Sequence, residues 1–236
     1  VITGREVGIF KSFLTTGCYQ VTQKRNQAQR LELLWIYNQQ DPMVVYREYS
    51  KKIDEQMASG TPDVNLLAEL YAQRGILLAD KLNRPEDALK DLQKQLILRP
   101  NDANAMNSLG YTLLAQEATR EQGFALVERA YKLEPQAPHI NDSLGWAYYL
   151  KGQPEKAVAY LKFAYDKMPD AEVAAHLVDT YMALGQERKA RDFAKKGLEQ
   201  DSTHAVLLET LTRHHMQPKQ APSAAAASQI ETGVQP

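Results

Sequence analysis

The chain has 236 residues, 44% of them hydrophobic and 24% charged, with a formal net charge of −1. There is enough apolar material for a sizeable core, and the near-neutral balance supplies no basic footprint for nucleic acid. No run approaches the roughly 18 apolar residues needed to cross a bilayer, and the single cysteine, Cys18, excludes an intrachain disulfide.

The chain starts at Val1, and we expect a fragment or a processed form. Residues 5–17 read as the second helix of a unit that begins upstream. Within them, Thr15-Thr16-Gly17-Cys18 has the small residues of a bacterial lipoprotein cleavage site, but Arg5, Glu6 and Lys11 break the apolar stretch before it. Cys18 is therefore read as a small buried helical residue. Residues 23–39 and 42–58 form the next expected pair, with Leu31, Leu34, Trp35 and then Val45, Tyr49, Ile53 at helical spacing. Further pairs are expected at 63–81 with 85–98, 103–116 with 121–133, 138–151 with 154–167, and 171–184 with 187–199. A last helix over about 203–215 covers the apolar end, as terminal repeats require. From Gln217 the chain is rich in Ala, Gln, Pro and Ser, and a disordered tail is expected.

These pairs repeat. Asn107-Ser108-Leu109-Gly110-Tyr111 recurs as Asp142-Ser143-Leu144-Gly145-Trp146, 35 residues on. Glu128-Arg129-Ala130-Tyr131 with Pro135 recurs as Lys162-Phe163-Ala164-Tyr165 with Pro169, 34 residues on. Pro85-Glu86-Asp87-Ala88 recurs two periods later as Pro154-Glu155-Lys156-Ala157. A period of about 34 with this pattern resembles the tetratricopeptide repeat. From Pro138 the match runs through Leu144, Gly145, Tyr148, Ala157, Leu161 and Ala164 to the closing Pro169. The resemblance implies an all-α, right-handed superhelical solenoid of antiparallel helix pairs with a C-terminal capping helix. We divide the chain into atypical N-terminal helical repeats over 1–62, about four units over 63–202, the cap over 203–216 and the tail over 217–236.

Each motif residue has a physical role. Gly145 and Ala157 belong where two helices cross closely, and a larger side chain would overpack them. Pro169 ends a helix. Gly152 and Gly185 suit left-handed C-caps, and Asp102, Asp170 and Ser202 are candidate N-caps. Departures are also visible. Gly123 stands where Ala is usual, after a turn one residue longer. Val178 replaces the glycine of the last unit, and Ser202 replaces its closing proline.

Stacked pairs of this kind leave a concave face lined by the first helix of each unit. The register assigns to that groove Asn104, Asn107, Tyr111 and Leu114, then His139, Asp142, Trp146 and Tyr149, then Glu172, Asp179 and Met182. Trp and Tyr supply much of the energy at peptide-binding surfaces. The competing reading is that Tyr111 and Trp146 only pack against the next unit. The clamp of lysines, asparagines and an arginine with which some of these repeats hold acidic chaperone tails is missing, because Asp142 and Asp179 occupy its places. A different ligand class is implied.

No catalytic constellation emerges. His214 and His215 are adjacent and point in different directions on a helix, and His176 and His204 are isolated. There is no His-Glu-x-x-His, phosphate loop, Gly-x-Ser-x-Gly or dinucleotide fingerprint. We expect no enzyme activity, no metal and no cofactor.

A narrower likeness rests on Asn107 to Leu113, Asn141-Asp142-Ser143-Leu144-Gly145-Trp146 and Pro169 to Leu177. In this order they resemble the C-terminal repeats of proteobacterial tetratricopeptide lipoproteins of the periplasmic side of the outer membrane, over about Leu66 to His214. That resemblance implies an adaptor delivering cell-wall hydrolases to a carboxyl-terminal processing protease, attached to the membrane only through a lipid anchor that is not in this chain. Two other readings stay open: an assembly scaffold of envelope or secretion machinery, and a regulatory domain of an enzyme whose catalytic part lies upstream.

Overall fold

The computed structural model describes residues 41–216. The helices expected over 5–17 and 23–39, the reading of Cys18 and the expected tail lie outside the described residues. Among the described residues there are ten α-helices, one short 3-10 turn and no strand. They are α1 (Pro42–Ala58), α2 (Val64–Asp80), α3 (Pro85–Leu98), α4 (Ala103–Leu114), α5 (Arg120–Leu133), α6 (Pro138–Leu150), α7 (Pro154–Lys167), α8 (Ala171–Ala183), α9 (Glu187–Gln200) and α10 (Ala205–Arg213). They fall into two compact units, one ending at Met168 and one starting at Pro169.

Helix starts follow from local chemistry. Each first turn leaves backbone N–H groups without intrahelical partners, and aspartates accept them. Asp63 Oδ1 accepts from the N–H of Asn65 and Leu66 at 3.0 and 3.1 Å. Asp102 does so for Asn104 and Ala105 at 2.8 and 3.0 Å, and Asp170 for Glu172 at 2.8 Å. Asp41 caps α1 through the Met43 N–H at 2.8 Å. Proline opens α1, α3, α6 and α7, where its missing N–H costs nothing. Gly152 and Gly185 end α6 and α8 with φ of +70° and +68°, the left-handed conformation that glycine adopts without strain. Ser202 does not cap. The last helix begins at Ala205 behind His204, which leaves Ser202 too far upstream, and Asp201 instead accepts the Thr203 N–H at 2.8 Å within the loop.

In the first unit, α2 packs on α3, α4 on α5 and α6 on α7. Each pair touches the next through its second helix, and the first helices α2, α4 and α6 follow one another side by side. Close crossing is possible because glycine sits at each contact. A Cβ on Gly75, Gly110 or Gly145 would lie 2.9, 2.8 or 2.6 Å from Leu92 Cγ, Val127 Cγ2 or Leu161 Cγ. Gly123 tightens its pair. Its Cβ would meet the Gly110 carbonyl oxygen at 2.6 Å and the Leu114 backbone nitrogen at 2.9 Å. The extra turn residue is taken up by the 3-10 turn Glu117–Thr119, whose Thr119 Oγ1 donates to the Leu113 carbonyl at 2.7 Å. Tyrosines tie α5, α6 and α7 together: Tyr131 meets Tyr160 edge-on at 5.4 Å, and Tyr160 stacks on Tyr148 at 5.4 Å.

One pair departs from this apolar scheme. Register from the glycine contacts aligns Arg74 with Leu109 and Leu144, and Asp91 with Leu126 and Tyr160. The Arg74 guanidinium donates Nε to Asp91 Oδ2 at 2.6 Å and Nη2 to Oδ1 at 2.9 Å, with the Asp91 side chain 4% exposed. Nη1 also donates to Ser50 Oγ of α1 at 3.0 Å. Burial disfavours the cation, but the hydrogen bonds and charge of Asp91 outweigh it and raise the Arg74 pKa.

In the second unit, α8 packs on α9 and α10 covers both. Val178, at the glycine position, is fully buried. The close approach shifts to Gly197, whose Cβ would lie 2.9 Å from Ala174 Cβ and 2.8 Å from Leu207 Cδ2.

Candidate functional site

The first-helix face of the first unit is built by α4 and α6. Its N-terminal edge is polar. Asn104 Oδ1 and His139 Nε2, 35 residues apart, lie 2.7 Å from each other. Asn104 Oδ1 can only accept, so Nε2 carries a proton and donates. Burial pushes its pKa down to about 4, against the pull of the nearby Asp142 carboxylate. One helical turn further in, Asn107 and Asp142 are buried at 4% and 8% exposure. No donor among the described residues reaches Asn107 Oδ1. A buried acceptor without a partner is uncommon, since such groups lose water and regain nothing.

The C-terminal edge is aromatic. Tyr111 and Trp146 are half-buried, each resting one side on the core formed by Leu114, Val127, Leu144 and Ala147. The Trp146 and Tyr149 rings stack at 4.9 Å with an interplanar angle of 16°. Tyr111 and Trp146 thus pack on the core and stay half-buried. Leu114 is a correction. It is fully buried beneath Val127 and Leu144 and belongs to the core. The α4–α5 crossing at Gly123 draws its backbone inward.

In the second unit, Glu172 and Met182 are half-buried on α8. Asp179 is a second correction. It is 2% exposed, and its carboxylate is consumed by the capping helix. His214 Nε2 lies 2.6 Å from Oδ1, and Arg213 Nη2 donates to Oδ2 at 3.1 Å. Thr210 Oγ1 adds a contact at 3.5 Å. Asp179 therefore latches α10 and does not face a ligand. Among the described residues no three His, Cys, Asp or Glu side chains group as a metal site. No described helix is long and apolar enough to cross a membrane.

The register did not single out Arg74 and Asp91. Their signal was present as a charge at each of two repeat positions occupied by apolar or aromatic residues in the next two units.

The helix pairs, glycine crossings and first-helix face define a tetratricopeptide-type repeat fold, and proteins of this fold are generally non-catalytic scaffolds for protein–protein interaction. Residues 148–213 match the tetratricopeptide repeat family model. The chain is 38% identical over 125 residues to the TPR repeat-containing protein PA4667 of Pseudomonas aeruginosa, covering 53% of this chain and 20% of that protein. It therefore spans about a fifth of the length of this curated relative. Among solved structures, the thermophilic TPR protein TTC0263 of Thermus thermophilus superimposes with a TM-score of 0.62 at 18% identity, over 80% of this chain and 96% of that one. PilW, a type IV pilus biogenesis factor, gives 0.59 at 16% identity, over 83% and 88%. These two likenesses concern the fold alone.

Proposed function

We propose that this chain is a protein-interaction scaffold whose first-helix face holds an extended peptide or protein segment. The observation that carries the reading is the group of half-buried rings, Tyr111, Trp146 and Tyr149, at the C-terminal edge of that face. The aromatic rings supply rigid contact area at low entropic cost. Asp142 and the neutral His139 disfavour an acidic terminus at this face. The occupant is a segment that offers apolar side chains to these rings.

The finer reading is an adaptor on the periplasmic side of the outer membrane that brings cell-wall hydrolases to a carboxyl-terminal processing protease. Its support is the sequence resemblance over Leu66 to His214. The test uses the chain and the processing protease of the same host, both purified, in a direct binding assay, followed by affinity purification with mass spectrometry from that host. Trp146→Ala with Tyr149→Ala weakens binding at least about tenfold, because aromatic anchors of this kind carry roughly 2 kcal/mol or more each, while helical content stays intact. Recovery of neither protease nor hydrolase removes the adaptor reading. Unchanged binding of a verified partner by the double variant removes the first-helix face.

A further inference from the structure

A second polar feature lies away from that face. Tyr46 of α1, Arg74 of α2, Arg84 of the α2–α3 turn and Lys90 and Lys94 of α3 border a cleft of about 160 Å³. At about 30 Å³ per water molecule this is room for a small polar group. Two carboxylates, Asp87 and Asp91, share the cleft with the four cations. Asp91 is fully used by Arg74, as described above. Asp87 receives Arg84 at 2.6 Å and Lys90 at 3.0 Å. Lys94 has only an aromatic neighbour among the described contacts, its Nζ lying 4.8 Å from the Tyr71 ring centre. The Arg84 guanidinium stands over the Tyr46 ring at 5.2 Å. The cleft is therefore net positive, with the Tyr46 ring in its wall.

Its origin is a departure from the next unit of this chain. The floor is the Arg74–Asp91 pair, standing where the next unit packs Leu109 with Leu126. A buried ion pair is weak evidence for stability, since well-packed apolar residues often do as well or better. Retaining it opens a charged cleft where the neighbouring repeat has apolar core.

We infer that this cleft binds a carboxylate side chain of an acidic peptide segment. A carboxylate pairs with Lys94 and shares Arg84 and Lys90 with Asp87. The exposed positions of Arg84, Lys90 and Lys94 make the contact salt-sensitive.

The test is fluorescence anisotropy of labelled hexaglutamate with the whole chain, at low and at physiological ionic strength. Wild type binds and weakens with salt. Lys90→Gln with Lys94→Gln lowers affinity about fivefold at low salt, as expected for two exposed ion pairs. A charge-matched control, Lys162→Gln with Lys167→Gln on α7, binds like wild type. Arg74→Leu with Asp91→Leu, which rebuilds the apolar pair of the next unit, keeps or raises the melting temperature and loses the same binding. Absence of binding by wild type, or equal affinity of the two lysine variants, overturns the inference. If the leucine variant does not fold, the comparison of the lysine variants still decides.

Discussion

Acidification tests the polar edge of the first-helix face most directly. His139 has an ordinary pKa of 6.5 when exposed and about 4 in the folded chain, chiefly through burial and against the attraction of Asp142. Between these values the unfolded chain binds a proton that the folded chain refuses, so stability rises with pH and is lost as pH falls from 6.5 towards 4. At 1.36 kcal/mol per pKa unit, the full difference is about 3 kcal/mol, and about 2 kcal/mol of it appears between pH 7 and pH 5. For a chain of this size that lowers the melting temperature by about 4–8 °C. Carboxylates contribute their own pH dependence, so the measurement is a difference. His139→Gln keeps an N–H to offer Asn104 and does not titrate. Wild type should lose about 2 kcal/mol more than this variant on going from pH 7 to pH 5 in urea unfolding. The His139 ring proton, followed by NMR, should titrate near 4. A midpoint near 6.5, or parallel pH profiles, would refute both the buried neutral imidazole and the donor role assigned to it.

Three further outcomes follow from packing. Gly123→Ala, although alanine is the usual residue at that repeat position, should cost about 1–3 kcal/mol because its Cβ would meet backbone atoms of Gly110 and Leu114 at 2.6 and 2.9 Å; an unchanged melting temperature would contradict the close crossing. Ala164→Leu, at a fully buried site, should destabilise by a similar amount for the same reason. Asp179→Ala should cost about 2 kcal/mol or more by removing charged hydrogen bonds from a buried position. It should also speed amide exchange in α10 while leaving α4 to α7 protected.

The architecture was legible because its signals are local and repeated. Glycine and small residues at fixed steps mark crossings, proline and aspartate mark starts, and glycine with positive φ marks stops. Helix order from Pro42 to Arg213 followed from these alone. What escaped depends on contacts distant in sequence. Leu114 falls on the register of the inner face, yet the Gly110–Gly123 approach pulls it under the core. Asp179 occupies the same register as Trp146, but Arg213 and His214, 34 and 35 residues later, cover it and take its charge. Arg74 and Asp91 escaped for another reason. A match scored on agreement with a motif passes over the unit where two members have changed together, and the paired change is visible only once both helices are in place.

The nearest-neighbour packing within the first unit also governs how damage spreads. Among the described residues, the main packing of α2 to α7 is with their immediate predecessors and successors and with the first helix of the adjoining pair. No single lesion can remove support from every pair at once. A cut or a destabilising change in one pair should therefore loosen its neighbours progressively, leaving shortened but still folded remnants. Proteases would find ragged edges to trim before they met an all-or-none collapse.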